Sequence, residues 1–301
     1  MGSLSSGDNI LGILPNVSLH ISGEDRLSDH NFQRLSEYIS KHVGIRMPPE
    51  KRSMAESRLR KRVRALGLSS VSEYCSLIFD KDGLKEEHAD LVDVMTTNTT
   101  DFFREPDHFE CLKNIIIPSL ISQRSGRGKP RLKIWSAASS IGAEAYTIAM
   151  VLSEMSLNRS DFLYSILGTD ISLTVLDQAK IAIYPTEMIN TIPKSIRERY
   201  LLQSRSGQKP SQVRIIPELR KQVRFSQMNL TDETYSVDRD VDVIFLRNVL
   251  IYFDAERQEA IIKRLFGHLR KGGYLLIGHS ESLIRSAVAL RQIAPAVFQK
   301  I

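Results

Sequence analysis

Cysteine is scarce in this chain: Cys75 and Cys111 are the two in 301 residues. Two distant thiols exclude a disulfide scaffold or a thiolate metal cluster, and they read as reduced core residues. No apolar run approaches the roughly 20 residues needed to cross a bilayer as a helix. Residues 1–9 are rich in Ser and Gly and lack the basic-then-apolar order of a signal peptide, so a cytoplasmic location is expected. Several signatures of chemistry are also missing. There is no G-x-G-x-x-G, no P-loop lysine and no G-x-S-x-G nucleophile elbow. The seven histidines are scattered, with none at ligand spacing from a cysteine or carboxylate, and no metal is expected.

What is present is an ordinary globular composition, 42% hydrophobic and 25% charged, with a net charge of +6. Residues 1–24 have weak periodicity and read as a flexible tail. From Ser28 the pattern turns helical: Phe32, Leu35, Ile39 and Val43 recur at three- and four-residue spacing, with Ser28 or Asp29 as the cap and Gly44 as the stop. Further helices are predicted over 49–66, 70–79 and 86–95, making a helical N-terminal domain over 25–95. A linker over 96–108 leads into a domain over 109–301 in which strands and helices alternate. Strands are expected at 131–135, 163–168, 223–225, 241–246 and 274–277, with helices at 142–154, 174–183 and 255–269. Such alternation predicts a parallel, doubly wound sheet. The proline-containing segment 184–222, with a possible strand at 213–216, interrupts it as an inserted subdomain.

In such sheets ligands sit at the carboxyl ends of the strands. The first strand ends in small residues up to Glu144, which let a ligand approach the backbone, although a plain tight turn would look the same. The second ends at Asp170, a residue able to accept hydrogen bonds from a ribose diol or to cap the next helix. Ser172 is also available as a cap, which frees Asp170 for a ligand. The fourth ends in Arg247-Asn248 inside an apolar run, where core burial would require every polar atom to be satisfied. Thr96 to Arg104 surrounds Phe102 and Phe103 with short polar groups, a pattern that fits either a capped linker or one wall of a polar site. The helix from Lys51 to Arg64 carries seven cations and the single acid Glu56. Arg58 and Arg62 share a face opposite a predicted apolar stripe of Leu59, Val63 and Leu66. That imbalance favours an acidic partner over a merely solvated face.

Taken together these segments resemble the CheR-type chemotaxis receptor methyltransferases. The resemblance rests on Asn98-Thr-Thr100-Asp-Phe-Phe-Arg104, Trp135-Ser-Ala-Ala-x-Ser-x-Gly-x-Glu144, Asp170, Asn229-Leu230, Arg247-Asn248-Val-x-Ile-Tyr252-Phe253 and Gly278-His-Ser-Glu281, in that order. It implies a Rossmann-like S-adenosylmethionine methyltransferase sheet, a small all-helical N-terminal domain and an inserted antiparallel β-subdomain. It further implies transfer of a methyl group to glutamate carboxylates of chemoreceptors, with S-adenosylhomocysteine as the product. Asn98, Thr100, Arg104, Glu144, Asp170, Asn229, Leu230, Arg247 and Asn248 match the family's cofactor contacts. Arg104 and Tyr252 match the positions beside the transferred methyl. Arg52, Arg58 and Arg62 would face the receptor's acidic helices, and a receptor C-terminal pentapeptide could bind the β-subdomain. Ala143 and Ile141 depart from the family pattern, and the loop 203–212 lacks the glycine-rich turn of pentapeptide binders. No nucleic-acid partner and no membrane insertion are expected. Two other readings use the same fold: a nucleic-acid methyltransferase, suggested by the basic helix, and a non-catalytic regulator that binds S-adenosylmethionine. Against the first, the chain lacks both the Asn/Asp-Pro-Pro-aromatic motif and the Pro-Cys of nucleic-acid methylases.

Overall fold

Ser28 starts α1 (Asp29–His42) by accepting a hydrogen bond from the Asn31 amide, and Phe32, Leu35 and Ile39 form its buried stripe. A 3-10 turn at Pro49–Lys51 opens α2 (Arg52–Ala65), followed by α3 (Val71–Asp80), capped by Ser70, and α4 (Leu84–Met95). These four helices bury one hydrophobic cluster of their own, centred on Leu35, Ile39, Leu59, Tyr74 and Leu91. On α2 the buried residues are Ala55, Leu59 and Val63; Leu66, expected in the stripe, is exposed because the helix has ended by then. The computed structural model describes residues 26–124, 128–204, 211–283 and 288–301. The tail expected over 1–24 and most of the loop 203–212 lie outside the described residues.

A helical stretch, α5 (Asp107–Cys111), a π turn at Leu112–Ile116 and α6 (Ile117–Ser122), carries the chain to β1 (Arg131–Ala137). The alternating series continues as α7 (Ala143–Asn158), β2 (Leu163–Asp170), α8 (Leu173–Ile181), β3 (Ile183–Pro185), α9 (Lys194–Tyr200), β4 (Leu201–Gln203), β5 (Gln212–Ile215) and α10 (Pro217–Arg220). It closes with β6 (Val223–Gln227), β7 (Val241–Leu246), α11 (Ala255–His268), β8 (Leu269–Ile277), β9 (Leu290–Ala294) and β10 (Val297–Lys300).

Seven strands form one sheet in the order β6-β2-β1-β7-β8-β10-β9. β6, β2, β1, β7 and β8 are parallel, whereas β10 runs antiparallel to both β8 and β9. The expectation of a purely parallel sheet is corrected at that edge, where the short strands β9 and β10 show no clear alternation in sequence. β8 begins five residues earlier than expected and passes through Gly272-Gly273, with an irregularity where β7 pairs with it. The helix expected to reach residue 183 stops at Ile181, because Ala182 takes a left-handed conformation and Ile183 joins a strand. β3, β5 and β4 form a separate three-stranded antiparallel sheet, the inserted subdomain.

The chain leaves β1 toward β2 and β6 on one side and returns to β7 and β8 on the other. That reversal opens a crevice at the carboxyl ends of β1 and β7, the place where open α/β sheets bind ligands. The turn after β1 is built for close approach. Gly142 has a φ of 86°, and a Cβ there would come within 2.9 Å of both Ala179 and Phe225. α7 can therefore start tight against the sheet only with glycine at its N-cap.

Candidate functional site

A cleft lies over these strand ends. It is lined by Asn98, Thr100, Arg104, Glu144, Asp170, Asn229, Leu230, Arg247, Asn248 and Tyr252, so all ten cofactor-site and methyl-site candidates converge on one cavity. The lining comes from the segment after α4, from the ends of β1, β2 and β7, and from the loop after β6. Val43 and Ile45, just beyond α1, close it from the helical side.

Asp170 ends β2. One of its oxygens accepts the Ser140 amide at 2.9 Å and the other the Ser172 amide at 3.1 Å. Ser172 caps α8 by accepting the Val175 amide, so the aspartate is not the cap. Burial raises the Asp170 carboxyl above its ordinary range, opposed by the amides of Ser172, Ser140 and Ile171. Each oxygen keeps lone-pair capacity for a further donor. Ser139 offers a buried hydroxyl with no protein partner on the same wall.

Arg247 is nearly inaccessible, with 2% of its side chain exposed. It pairs with Glu144 at 2.9 Å and with Glu105 at 3.0 Å, and it donates to the Arg104 carbonyl. Glu144 also accepts from the Ser136 hydroxyl at 2.7 Å. The sequence set a site role for Arg247 against a solvated loop and gave core burial little weight; Arg247 is buried, hydrogen-bonded at every nitrogen, and lines the cleft. Asn248 sits in a left-handed conformation, φ 58°, and its side chain donates to Glu105 at 3.1 Å. Burial pushes the Glu105 carboxyl up, but hydrogen bonds from Asn248 and Arg247 and the arginine charge more than offset this and leave it below its ordinary value. Glu105 thus holds both side chains of the Arg-Asn pair, a role that sequence reading missed. The available signal was its position directly after Arg104.

The same region corrects the expectation that no histidine stands at ligand spacing from a carboxylate, since Glu105 and His108 are three residues apart. Ligand atoms of Glu105, His108 and His279 fall within 4.8 Å of one another. The Arg247 guanidinium already occupies Glu105 there, and a cation would have to displace it.

Thr96 to Arg104 realises both of its readings at once. Phe102 is fully buried edge-on against Tyr184, while Asn98, Thr100 and Arg104 face the cleft. The Asn98 carbonyl accepts the Ser140 hydroxyl at 2.8 Å. Arg104 is exposed, and its guanidinium makes one long hydrogen bond, 3.4 Å to the Thr99 carbonyl. Asn229 donates to the His42 carbonyl at 2.7 Å and accepts from Thr231, which ties the cleft to the end of α1. Tyr252 lies in a 3-10 turn (Leu250–Tyr252), with the Lys51 ammonium 5.8 Å from its ring centre.

The three arginines expected to face a receptor are drawn into the protein. Arg62 forms a two-bond pair with Glu87, both at 2.9 Å, and reaches Asp90 at 3.0 Å. Arg58 donates to the Met95 carbonyl and to Thr97, and Arg52 to the Leu27 carbonyl and Asp29. The one-sided excess of charge on α2 is thus partly met within the protein at Arg52 and Arg62, while Arg58 is held by a carbonyl and a hydroxyl. The balancing acids come from α4 and from the start of α1, remote in sequence.

A doubly wound sheet with a polar cleft at its switch point, a carboxylate at the end of β2 and an apolar wall of Ile45, Ile171, Met228 and Leu230 defines a Rossmann-like protein with a site for a nucleoside-type ligand. Family models place it further. Residues 98–296 match "CheR methyltransferase, SAM binding domain" and residues 30–96 match "CheR methyltransferase, all-alpha domain". The chain belongs to the CheR methyltransferase family. It is 38% identical to the chemotaxis protein methyltransferase of Borreliella burgdorferi, covering 95% of this chain and 97% of that protein. Identity is 34% to chemotaxis protein methyltransferase 2 of Pseudomonas aeruginosa, over 95% of this chain and 96% of that one. It is 35% to the Escherichia coli chemotaxis protein methyltransferase, over 85% of each. S-adenosylmethionine is the cofactor, and the cleft's donors suit it: a carboxylate for a diol, an apolar wall for a base, and mixed charge for an amino-acid end.

Proposed function

We propose that this enzyme methylates glutamate side chains on the cytoplasmic helices of chemoreceptors, forming methyl esters, and that it works in the cytoplasm. The observation that carries this reading is the pairing of a cofactor-type cleft with the underused cation Arg104 at its rim. S-adenosylmethionine supplies an electrophilic methyl group on a sulfonium. A glutamate carboxylate is ionised at neutral pH and already nucleophilic, so the protein has no proton to remove. Its contribution is then placement and the exclusion of water. Arg104 orients the incoming carboxylate by a charge-assisted hydrogen bond, with Tyr252 beside it. Asp170 holds the ribose hydroxyls, Asn229 and Leu230 flank the adenine, and Asn98, Thr100, Glu144, Arg247 and Asn248 hold the remainder of the cofactor.

Docking of the acidic receptor helix falls to the cations of α2 that remain exposed. Lys61 and Arg64 are exposed, with no ion pair among the described residues, and Arg52 and Arg58 add half-exposed charge. A receptor's C-terminal pentapeptide would add as a strand to the small sheet, where β3 and β4 are edges. The basic helix was the motive for a nucleic-acid substrate, and part of its charge, at Arg52, Arg60 and Arg62, is paired within the protein. The test is transfer of labelled methyl from S-adenosylmethionine to receptor-bearing membranes of the same organism. Label released by mild base supports an ester; label stable to base, or no label on any receptor, refutes the reading.

A further inference from the structure

We infer that Glu281 is a positioning residue for the cofactor site, holding from behind the turn that carries Arg247, Asn248 and Tyr252. The inference rests on the assignment of the cleft as the cofactor site. Glu281 lies outside the cleft lining and touches no group proposed to meet the cofactor except through backbone. Its Oε2 accepts the Asn248 amide at 3.0 Å and the Gly278 amide at 2.6 Å, and its Oε1 accepts the Leu250 amide at 2.7 Å. One side chain thus binds the loop after β7 to the loop after β8. The Glu281 amide in turn donates to the Gly278 carbonyl at 2.9 Å, closing the second loop on itself.

Two further features show that the arrangement is tight. Asn248 adopts a left-handed conformation, uncommon for a residue other than glycine, and contacts around the turn favour it. The bonds from Glu281 to the amides on either side of Val249 are among these contacts. At Gly278, a Cβ would lie 2.6 Å from the Asn248 side-chain nitrogen, 2.9 Å from its backbone nitrogen and 2.9 Å from the Glu281 carboxylate. Glycine at 278 is the condition for the two loops to meet. Burial pushes the Glu281 carboxyl up, and the amides of Gly278, Asn248, Leu250 and Val249 oppose that shift, as expected of a carboxylate committed to backbone donors. Glu105 grips the same turn by its side chains and Glu281 by its main chain, so the pair of carboxylates presents Asn248 and Tyr252 in one orientation before any ligand arrives.

Glu281→Gln keeps the shape but replaces one acceptor oxygen by a donor that faces backbone N–H groups. Stranding one or two of these buried donors should weaken binding of S-adenosylhomocysteine by about 10- to 100-fold, measured by calorimetry on folded protein. Hydrogen exchange should show the Asn248 and Leu250 amides losing protection while the strands of the large sheet keep theirs. Saturating S-adenosylhomocysteine should restore that protection, which a purely structural role would not predict. Should E281Q fail to fold, Gly278→Ala disturbs the same contacts from the other side and should show the same loss of affinity. Binding within twofold of the native protein, loss of protection across the whole sheet, or failure of both variants to fold would each overturn the inference. Asp170→Ala serves as the reference: if it too binds normally, the assignment of the cleft has failed rather than the role of Glu281.

Discussion

Charge is concentrated in two regions of this chain, α2 and the cleft at the ends of β2 and β7, and the two use it in opposite ways. On α2 the excess looked unbalanced because its acids are distant in sequence: Glu87 and Asp90 on α4, and Asp29 at the start of α1. In the cleft, Glu105 and Glu144 saturate Arg247, while Asp170 and Arg104 keep bonding capacity turned toward open space. A run of like charge in a sequence therefore says little about a partner until its tertiary neighbours are counted. A polar residue at a strand end says more, because the sheet topology fixes where it must point.

The largest effect that could break this contrast is at Asp170. If its oxygens hold the ribose diol, Asp170→Ala removes two charge-assisted hydrogen bonds worth about 1.5–3 kcal/mol each. S-adenosylhomocysteine binding should then weaken by at least about 100-fold in calorimetry. Unchanged affinity would mean that Asp170 is committed to the Ser140 and Ser172 amides alone. Arg62 is the counterpart on α2. With 14% of its side chain exposed and Glu87 at 9%, Arg62→Ala strands a buried carboxylate whose remaining side-chain partner is the Tyr74 hydroxyl. The expected cost is about 3 kcal/mol of stability in urea unfolding, with cofactor affinity of the folded protein unchanged. Native stability combined with poor receptor methylation would return Arg62 to a docking role.

The same contrast explains what could be read in advance. The helical domain and the parallel strands were legible because periodicity is a local signal, and Asp170 and Arg247-Asn248 because each follows directly on a strand; Asn98, Thr100, Arg104, Glu144, Asn229, Leu230 and Tyr252 were assigned through the family resemblance. Glu105 was not legible, since its role exists only once β7 lies beside the start of α5. Nor were the partners of Arg58 and Arg62, for the same reason. β9 and β10 were missed because an edge pair of five and four residues need not alternate, and the first five residues of β8 because Gly272-Gly273 mimics a turn inside a strand.

Acidity sharpens the comparison at intermediate scale. Burial raises Asp170 in the free protein, so its charge costs folding stability at neutral pH, and that cost disappears as pH falls through the raised value. Ribose hydroxyls donate to the charged form and would pull the value back down. Affinity should therefore fall with pH by up to about tenfold per unit, beginning above the usual aspartate range, with protons released on binding. Calorimetry in buffers of different ionisation enthalpy measures that release. Asp170→Asn should abolish it, and persistence of the pH dependence in that variant would assign it to another group.

The smallest expected effect lies on what remains free of α2. Lys61 and Arg64 point outward near the end of the helix, where fully solvated charges interact weakly with a partner and are screened by salt. Reversing both, Lys61→Glu with Arg64→Glu, should leave S-adenosylhomocysteine affinity and unfolding unchanged. Receptor methylation at low salt should slow by about two- to fivefold, through KM rather than kcat, and the difference should shrink as salt is added. A salt-independent loss in kcat would place these residues in the chemistry instead. No change at any salt concentration would mean that acidic receptor helices are recognised elsewhere, with the half-exposed Arg52 and Arg58 next to examine. Either departure would leave the cleft's assignment intact, because the two regions share a boundary at Tyr252 and Lys51 but not their partners.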